Sequence, residues 1–159
     1  VGVLGAFLST WDDARAMFGS GTPVGGSEFD MSARFRELRS RVLAAVAEGD
    51  WTGPGAEAYS DRNRQQAGTI ARLAALDWRV GLEVDRSAAV VAAGRRDLDS
   101  VRQWVIDTAA SVPPTAAGER ALLPVVAKGA AEIAEILNRS TDDMNGIATR
   151  IRAIGTRYE

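Results

Sequence analysis

Gly49-Asp50-Trp51-Thr52-Gly53-Pro54-Gly55 puts three glycines and one proline into seven residues of a chain that otherwise favours helix, and this stretch decides the fold. Glycine and proline in that density forbid a continuing helix and favour a tight reversal. Pro54 suits the first position of a following helix, where its missing N–H has no intrahelical partner to lose, and Glu57 then complements the helix dipole. Upstream, residues 30 to 48 read as an amphipathic helix. Phe35, Leu38, Val42 and Val46 share one face, with Arg34, Glu37, Arg41 and Glu48 largely on the others. Downstream, helix is predicted from residue 55 to 110, about 80 Å at 1.5 Å per residue. The two together form a helix-turn-helix hairpin.

Working outward, the long helix carries heptads. Ile70, Asp77, Val84, Val91, Leu98 and Val105 fall at one core position, and Leu73, Val80, Ser87, Gly94, Val101 and Thr108 at the other. Gly81 and Gly94 are expected to allow a close approach or a bend, and Asp77 to pair with an Arg or lie at a bundle edge. Pro113-Pro114 must belong to a connection, after which a third long helix runs to the end with a kink possible at Pro124 and a restart possible at Ser140. Its expected seam is Leu123, Val126, Ala130, Ile133, Leu137, Ser140, Met144, Ile147, Ile151, Ile154 and Tyr158. At the other end, Leu4, Phe7, Leu8, Trp11 and Phe18 mark a first helix that ends at Gly19, although Thr10 and Asp13 are spaced like a capping box that would start it later. Gly19 to Ser27 reads as a loop. The expected fold is all-α, an elongated helical bundle built on a long antiparallel hairpin. It forms one domain over 1–159: an N-terminal helix and loop (1–28), the hairpin (29–110) and a C-terminal long helix (111–159).

Composition narrows the chemistry. Cys and His are both absent, which removes disulfides, thiolate nucleophiles and the commonest metal ligand and acid-base group. No catalytic, cofactor-binding or metal-binding residue is assigned. Adjacent carboxylates occur at Asp12-Asp13 and Asp142-Asp143, with Asp97 and Asp99 close by, but neighbours on a helix diverge by about 100° and do not face one substrate. The net charge of -2, with signs interspersed, argues against nucleic acid as a partner. Every basic residue but Lys128 is Arg, a skew that fits a GC-rich genome. No apolar run reaches the roughly 18 to 20 residues of a membrane span, and Val1 to Leu8 lacks the basic flank and cleavage site of a signal peptide. A start at Val and a stop at Tyr158-Glu159 inside a helical pattern suggest a piece of something longer.

The setting of Trp51-x-Gly53, between an amphipathic helix and a very long one, resembles the Trp-x-Gly turn of the WxG and PPE-type substrates of type VII secretion. The likeness continues through Pro54-Gly55-Ala56-Glu57-Ala58-Tyr59, Asn63-Arg64 and Leu73-Ala74-Ala75-Leu76-Asp77. Over roughly residues 10 to 110 the chain resembles the EspA/EspE family of ESX secretion-associated proteins. Leu123-Pro124-Val125-Val126 resembles a further segment of that family, but the helix after it is more charged than the family's membrane-like stretch, which argues against membrane insertion. The resemblance implies export through a mycobacterial type VII system without a cleaved signal peptide, to the envelope or beyond it. It also implies work through protein–protein contact, with a helical partner, an ESX chaperone or the secretion machinery, in virulence or envelope integrity. The family's export signal, Tyr-x-x-x-Asp/Glu, is not met at Tyr59, which Asn63 follows, nor at Tyr158, where the chain stops.

Two roles are open for Trp51, Gly53 and Tyr59: a staple over the end of the hairpin core, or a surface read by secretion machinery or a partner. Trp78 and Trp104, beside the main seam, either cover another helix or make contact with another chain, as Asp77 also would; core packing is the simpler reading. Weak seam entries at Asp77, Ser87 and Gly94 are compatible with a partner helix or self-association. The alternatives to an ESX substrate are an export domain of a larger secreted toxin or effector, and a cytosolic helical adaptor.

Overall fold

A computed structural model describes residues 2–47 and 51–158. Its elements are α1 (Val3–Met17), a 3-10 turn (Gly26–Glu28), α2 (Ser32–Ala47), α3 (Pro54–Ala110) and α4 (Ala116–Gly155), and no strand occurs among the described residues. The fold is therefore all-α, dominated by the long packed helices α3 and α4. Glu48, Gly49 and Asp50, within the expected reversal and the helix before it, lie outside the described residues, as does the side chain of Val46.

Local chemistry sets the boundaries. Pro54 is the first residue of α3, as its missing N–H favours, and Gly53 before it takes φ +108°, a conformation that suits glycine. α3 stops at Ala110, ahead of Pro113-Pro114, whose rings disfavour helix in the residues preceding them. Thr115 starts α4 by accepting the Gly118 N–H on its hydroxyl at 3.2 Å. α4 then runs unbroken through Pro124 and Ser140, so the restart at Ser140 does not occur. Nor does the later start of α1: the helix begins at Val3, and the Thr10 hydroxyl bonds back to the Ala6 carbonyl at 3.2 Å instead of capping. Phe18 and Gly19 close α1, with Gly19 at φ +68° and the Arg95 guanidinium donating to the Phe18 carbonyl at 2.8 Å.

Packing divides the chain into two units. The first comprises Val1–Pro23 with Ser87–Ile147. Phe7, Ala14, Leu98, Val105, Ile133 and Ile136 are its buried core, with Leu4, Leu8, Trp11, Phe18, Val101, Val125, Val126 and Leu137 packed around it. α1 lies on the α3–α4 pair here because Gly129 and Gly94 leave room for aromatic rings. A Cβ on Gly129 would stand 2.8 Å from Phe7 Cε2 and 2.9 Å from Val105 Cγ2, and one on Gly94 would overlap the Phe18 ring at 2.2 Å. The Trp11 indole N–H donates to the Leu98 carbonyl at 2.7 Å, and Arg139 pairs with Asp97 at 2.7 Å.

The second unit comprises Val24–Arg86 with Ala148–Glu159. Its buried side chains include Asn63, Ala67, Ile70, Ala74, Leu76, Glu83 and Ile154. The Glu83 carboxylate is clamped by Arg86, one turn on, and by Arg150 of α4 at 2.9 Å. The 3-10 turn presses its backbone onto α3: a Cβ on Gly26 would come within 1.9 Å of the Gly81 carbonyl oxygen. α2 contributes little, since Phe35 and Val42 are only partly covered and Leu38 stays exposed.

The heptad reading of α3 holds, because all twelve of its positions from Ile70 to Thr108 are buried or partly buried. The α4 seam needs correction. Leu123, Ala130, Met144, Ile151 and Tyr158 are exposed, while Leu122, Gly129 and Ile136 face inward with Ile133, Ser140, Ile147 and Ile154. The hydrophobic pattern favoured Ala130 over Gly129, yet only a residue without a side chain fits against Phe7 and Val105.

Candidate recognition site

The start of α3 presents an aromatic face. Gly55 and Tyr59, four apart in α3, share one side of the helix, and Trp51, ahead of it, folds over that side. A Cβ on Gly55 would touch the Trp51 ring at 3.2 Å, and the Trp51 and Tyr59 rings sit 6.0 Å apart at 56°, within the range of favourable tilted aromatic pairs. Both rings remain open to solvent, Trp51 at 62% and Tyr59 at 47% exposure. The Glu57 N–H closes the first turn onto the Gly53 carbonyl at 3.0 Å, and Asp61 pairs with Arg64 at 2.9 Å. Trp51, Thr52, Gly53, Ala56, Glu57, Ser60, Asp61 and Arg64 surround a shallow polar depression beside the indole. Rather than covering a core, Trp51 lies against the first turn of α3 and is largely exposed.

The other residues singled out in the sequence are not gathered there. Asp77 pairs with no Arg among the described residues; its carboxylate accepts the Met31 N–H at 2.6 Å, just ahead of α2. The Asp77 charge, after burial, helps to raise the Tyr158 phenol above its usual pKa. Trp78 is 53% exposed and Trp104 38%, so neither is core packing. Trp104 instead carries Lys128 over its ring, 5.2 Å from the centroid. Asp30 and Asp85 escaped the sequence reading. The Asp85 carboxylate accepts the Gly26 N–H at 2.7 Å, and Asp30 accepts the Ser32 N–H at 2.8 Å. The usable signal was the spacing of Trp78, Gly81, Leu82 and Asp85, one face of a helix, but the loop that meets it carries no periodicity.

Fold and surface together define the class, an all-helical protein that displays aromatic side chains to solvent. The chain belongs to the EspA/EspE family, whose sequence model matches residues 18–100. It is 31% identical over 119 residues to the ESX-1 secretion-associated protein EspE of Mycolicibacterium smegmatis, an alignment that covers 74% of this chain and 22% of that protein. The chain thus spans about a fifth of that relative's length. No solved structure matches it. Among the described residues, no helix is long and apolar enough to cross a membrane.

Proposed function

We propose that this chain is a contact-making segment of a protein exported by a mycobacterial type VII system, and that the Trp51–Tyr59 face is what a helical partner, chaperone or secretion component reads. The observation that carries this reading is the exposure of both rings. A staple would bury its indole in the hairpin core, whereas exposed Trp and Tyr rings are of the kind enriched among the anchors of protein interfaces. Membership of a secretion-associated family supports export to the envelope or medium and a role, without catalysis, through protein contact in virulence or envelope integrity. An export domain of a longer effector would use the same face.

The test is export and co-purification of the full-length protein from mycobacterial culture filtrate, with and without a functional type VII apparatus. Trp51→Arg is expected to abolish export and partner capture while the far-ultraviolet circular dichroism and melting temperature stay unchanged. Normal export of a folded Trp51→Arg protein would remove the recognition role, and apparatus-independent appearance in the filtrate would remove the type VII assignment.

A further inference from the structure

α1 and α2 are helices of nearly equal length, 15 and 16 residues, but they are attached in unlike ways. α1 buries Phe7 and Ala14 and donates its Trp11 indole N–H to the Leu98 carbonyl at 2.7 Å. From Ser32 to Ala45, the span of α2 whose side chains are described, only Ser32 at the first position is buried; Phe35 and Val42 are half-buried and the others are exposed. The side-chain hydrogen bonds of α2 are internal, from the Ser40 hydroxyl to the Arg36 carbonyl at 3.1 Å and from Arg41 to Glu37 at 2.6 Å. Among the described residues, no hydrogen bond or ion pair joins α2 beyond Ser32 to α1, α3 or α4.

The chain just ahead of α2 is held far more firmly. The Gly26 N–H donates to the Asp85 carboxylate at 2.7 Å, and the Met31 N–H to the Asp77 carboxylate at 2.6 Å. Between them the Gly26 backbone rests on Gly81. Asp77, Gly81 and Asp85 follow one another at four-residue steps and so form a row along one side of α3. Both hydrogen bonds end on carboxylates, and bonds to a charged acceptor are about twice as strong as neutral ones. Residues 22 to 25, which lead into this row, carry no regular structure.

We infer that α2 is a hinged arm, latched to α3 through residues 26 to 32 by Asp77 and Asp85, and that it opens from α3 as a unit while α3 stays helical. The free energy of a local opening is set by the contacts that the segment gives up. For α2 these are the partial cover of Phe35 and Val42 and the two carboxylate bonds at its root, a small fraction of what unfolding the chain would expose. The opened arm presents Phe35, Leu38 and Val42 together as an uncovered apolar stripe. This inference stands apart from any role of the Trp51 face.

Native-state hydrogen exchange of the full chain, followed residue by residue by NMR with and without low concentrations of urea, tests it. The α2 amides from Phe35 to Ala45 are expected to be protected, yet to exchange roughly tenfold or more faster than the α3 amides from Ile70 to Leu76, and with a weaker dependence on urea because less surface is exposed. Asp77→Ala and Asp85→Ala each remove one acceptor and are expected to speed α2 exchange roughly tenfold while Ile70 to Leu76 keep their rates. Asp77→Asn retains an acceptor oxygen and is expected to fall between. Asp61→Ala, whose carboxylate pairs with Arg64 inside α3, should leave α2 unchanged. Exchange of α2 in step with Ile70 to Leu76, in the parent or in the variants, would overturn the arm, and so would an absence of any protection in α2. Unchanged α2 exchange in a folded Asp77→Ala/Asp85→Ala protein, or an equal effect of Asp61→Ala, would overturn the latch.

Discussion

Two glycines that meet in space are not equivalent. Gly81 looked like the residue that admits a close neighbour, yet a Cβ there would stand 3.7 Å from the Gly26 oxygen, an ordinary contact. It is Gly26 that cannot carry a side chain, because its Cβ would point into the Gly81 backbone. Gly26→Ala is therefore expected to destabilise the fold by about 1 to 3 kcal/mol or more, through overpacking against backbone that cannot move aside. Gly81→Ala should be neutral or mildly stabilising, since alanine is the better helix former. Urea unfolding midpoints of the two variants check this, and equal losses would show the contact to be misplaced. Glu83 gives a second residue-level expectation. Arg150→Ala leaves the buried carboxylate with Arg86 alone and should cost about 1 to 3 kcal/mol, whereas Glu83→Leu removes the charge that needs partners and should cost less than Arg150→Ala and Arg86→Ala combined. Asp30 sets an acid-side dependence. Its interactions with Ser32, whose backbone N–H donates to the carboxylate at 2.8 Å, hold its carboxyl below the usual range. A group whose folded pKa is depressed contributes stability above its unfolded value, about 3.9, and loses it as the pH falls through the lower folded value. Unfolding midpoints measured from neutral pH down through that range should fall less steeply in Asp30→Asn than in the parent protein.

Elements show where composition and packing part company. α4 carries Pro124 nine residues into a continuous helix, which removes the hydrogen bond to the Arg120 carbonyl. Pro124→Ala restores the donor and is expected to raise stability by about 1 to 3 kcal/mol, visible as a higher melting temperature. Gly68, in α3, has open space where a Cβ would lie, so Gly68→Ala should add up to about 1 kcal/mol from helix propensity alone. α2 shows the opposite balance. Its apolar stripe was correctly seen in the sequence, but a stripe states only that a face wants a partner. Leu38 and Leu43 remain exposed, and among the described side chains of the stripe the cover is partial burial of Phe35 and Val42.

At the scale of the whole chain, helices α1 to α4 account for nearly all the regular structure, and a far-ultraviolet dichroism spectrum should be helical without a sheet component. The all-α class, the helix that starts at Pro54, the long α3 with its heptads and the family resemblance were all legible in the sequence. They depend on local propensity, on helix-stopping residues and on a period read along one strand of text. Which side of α4 faces inward, that Gly26 and not Gly81 must lack a side chain, that Asp77 and Asp85 hold the backbone of a distant loop, and that Trp51, Trp78 and Trp104 stay open to solvent were decided only by the tertiary structure. Each of these turns on contacts between residues dozens of positions apart, where the volume of one neighbour fixes the choice at another, and no local pattern encodes that volume.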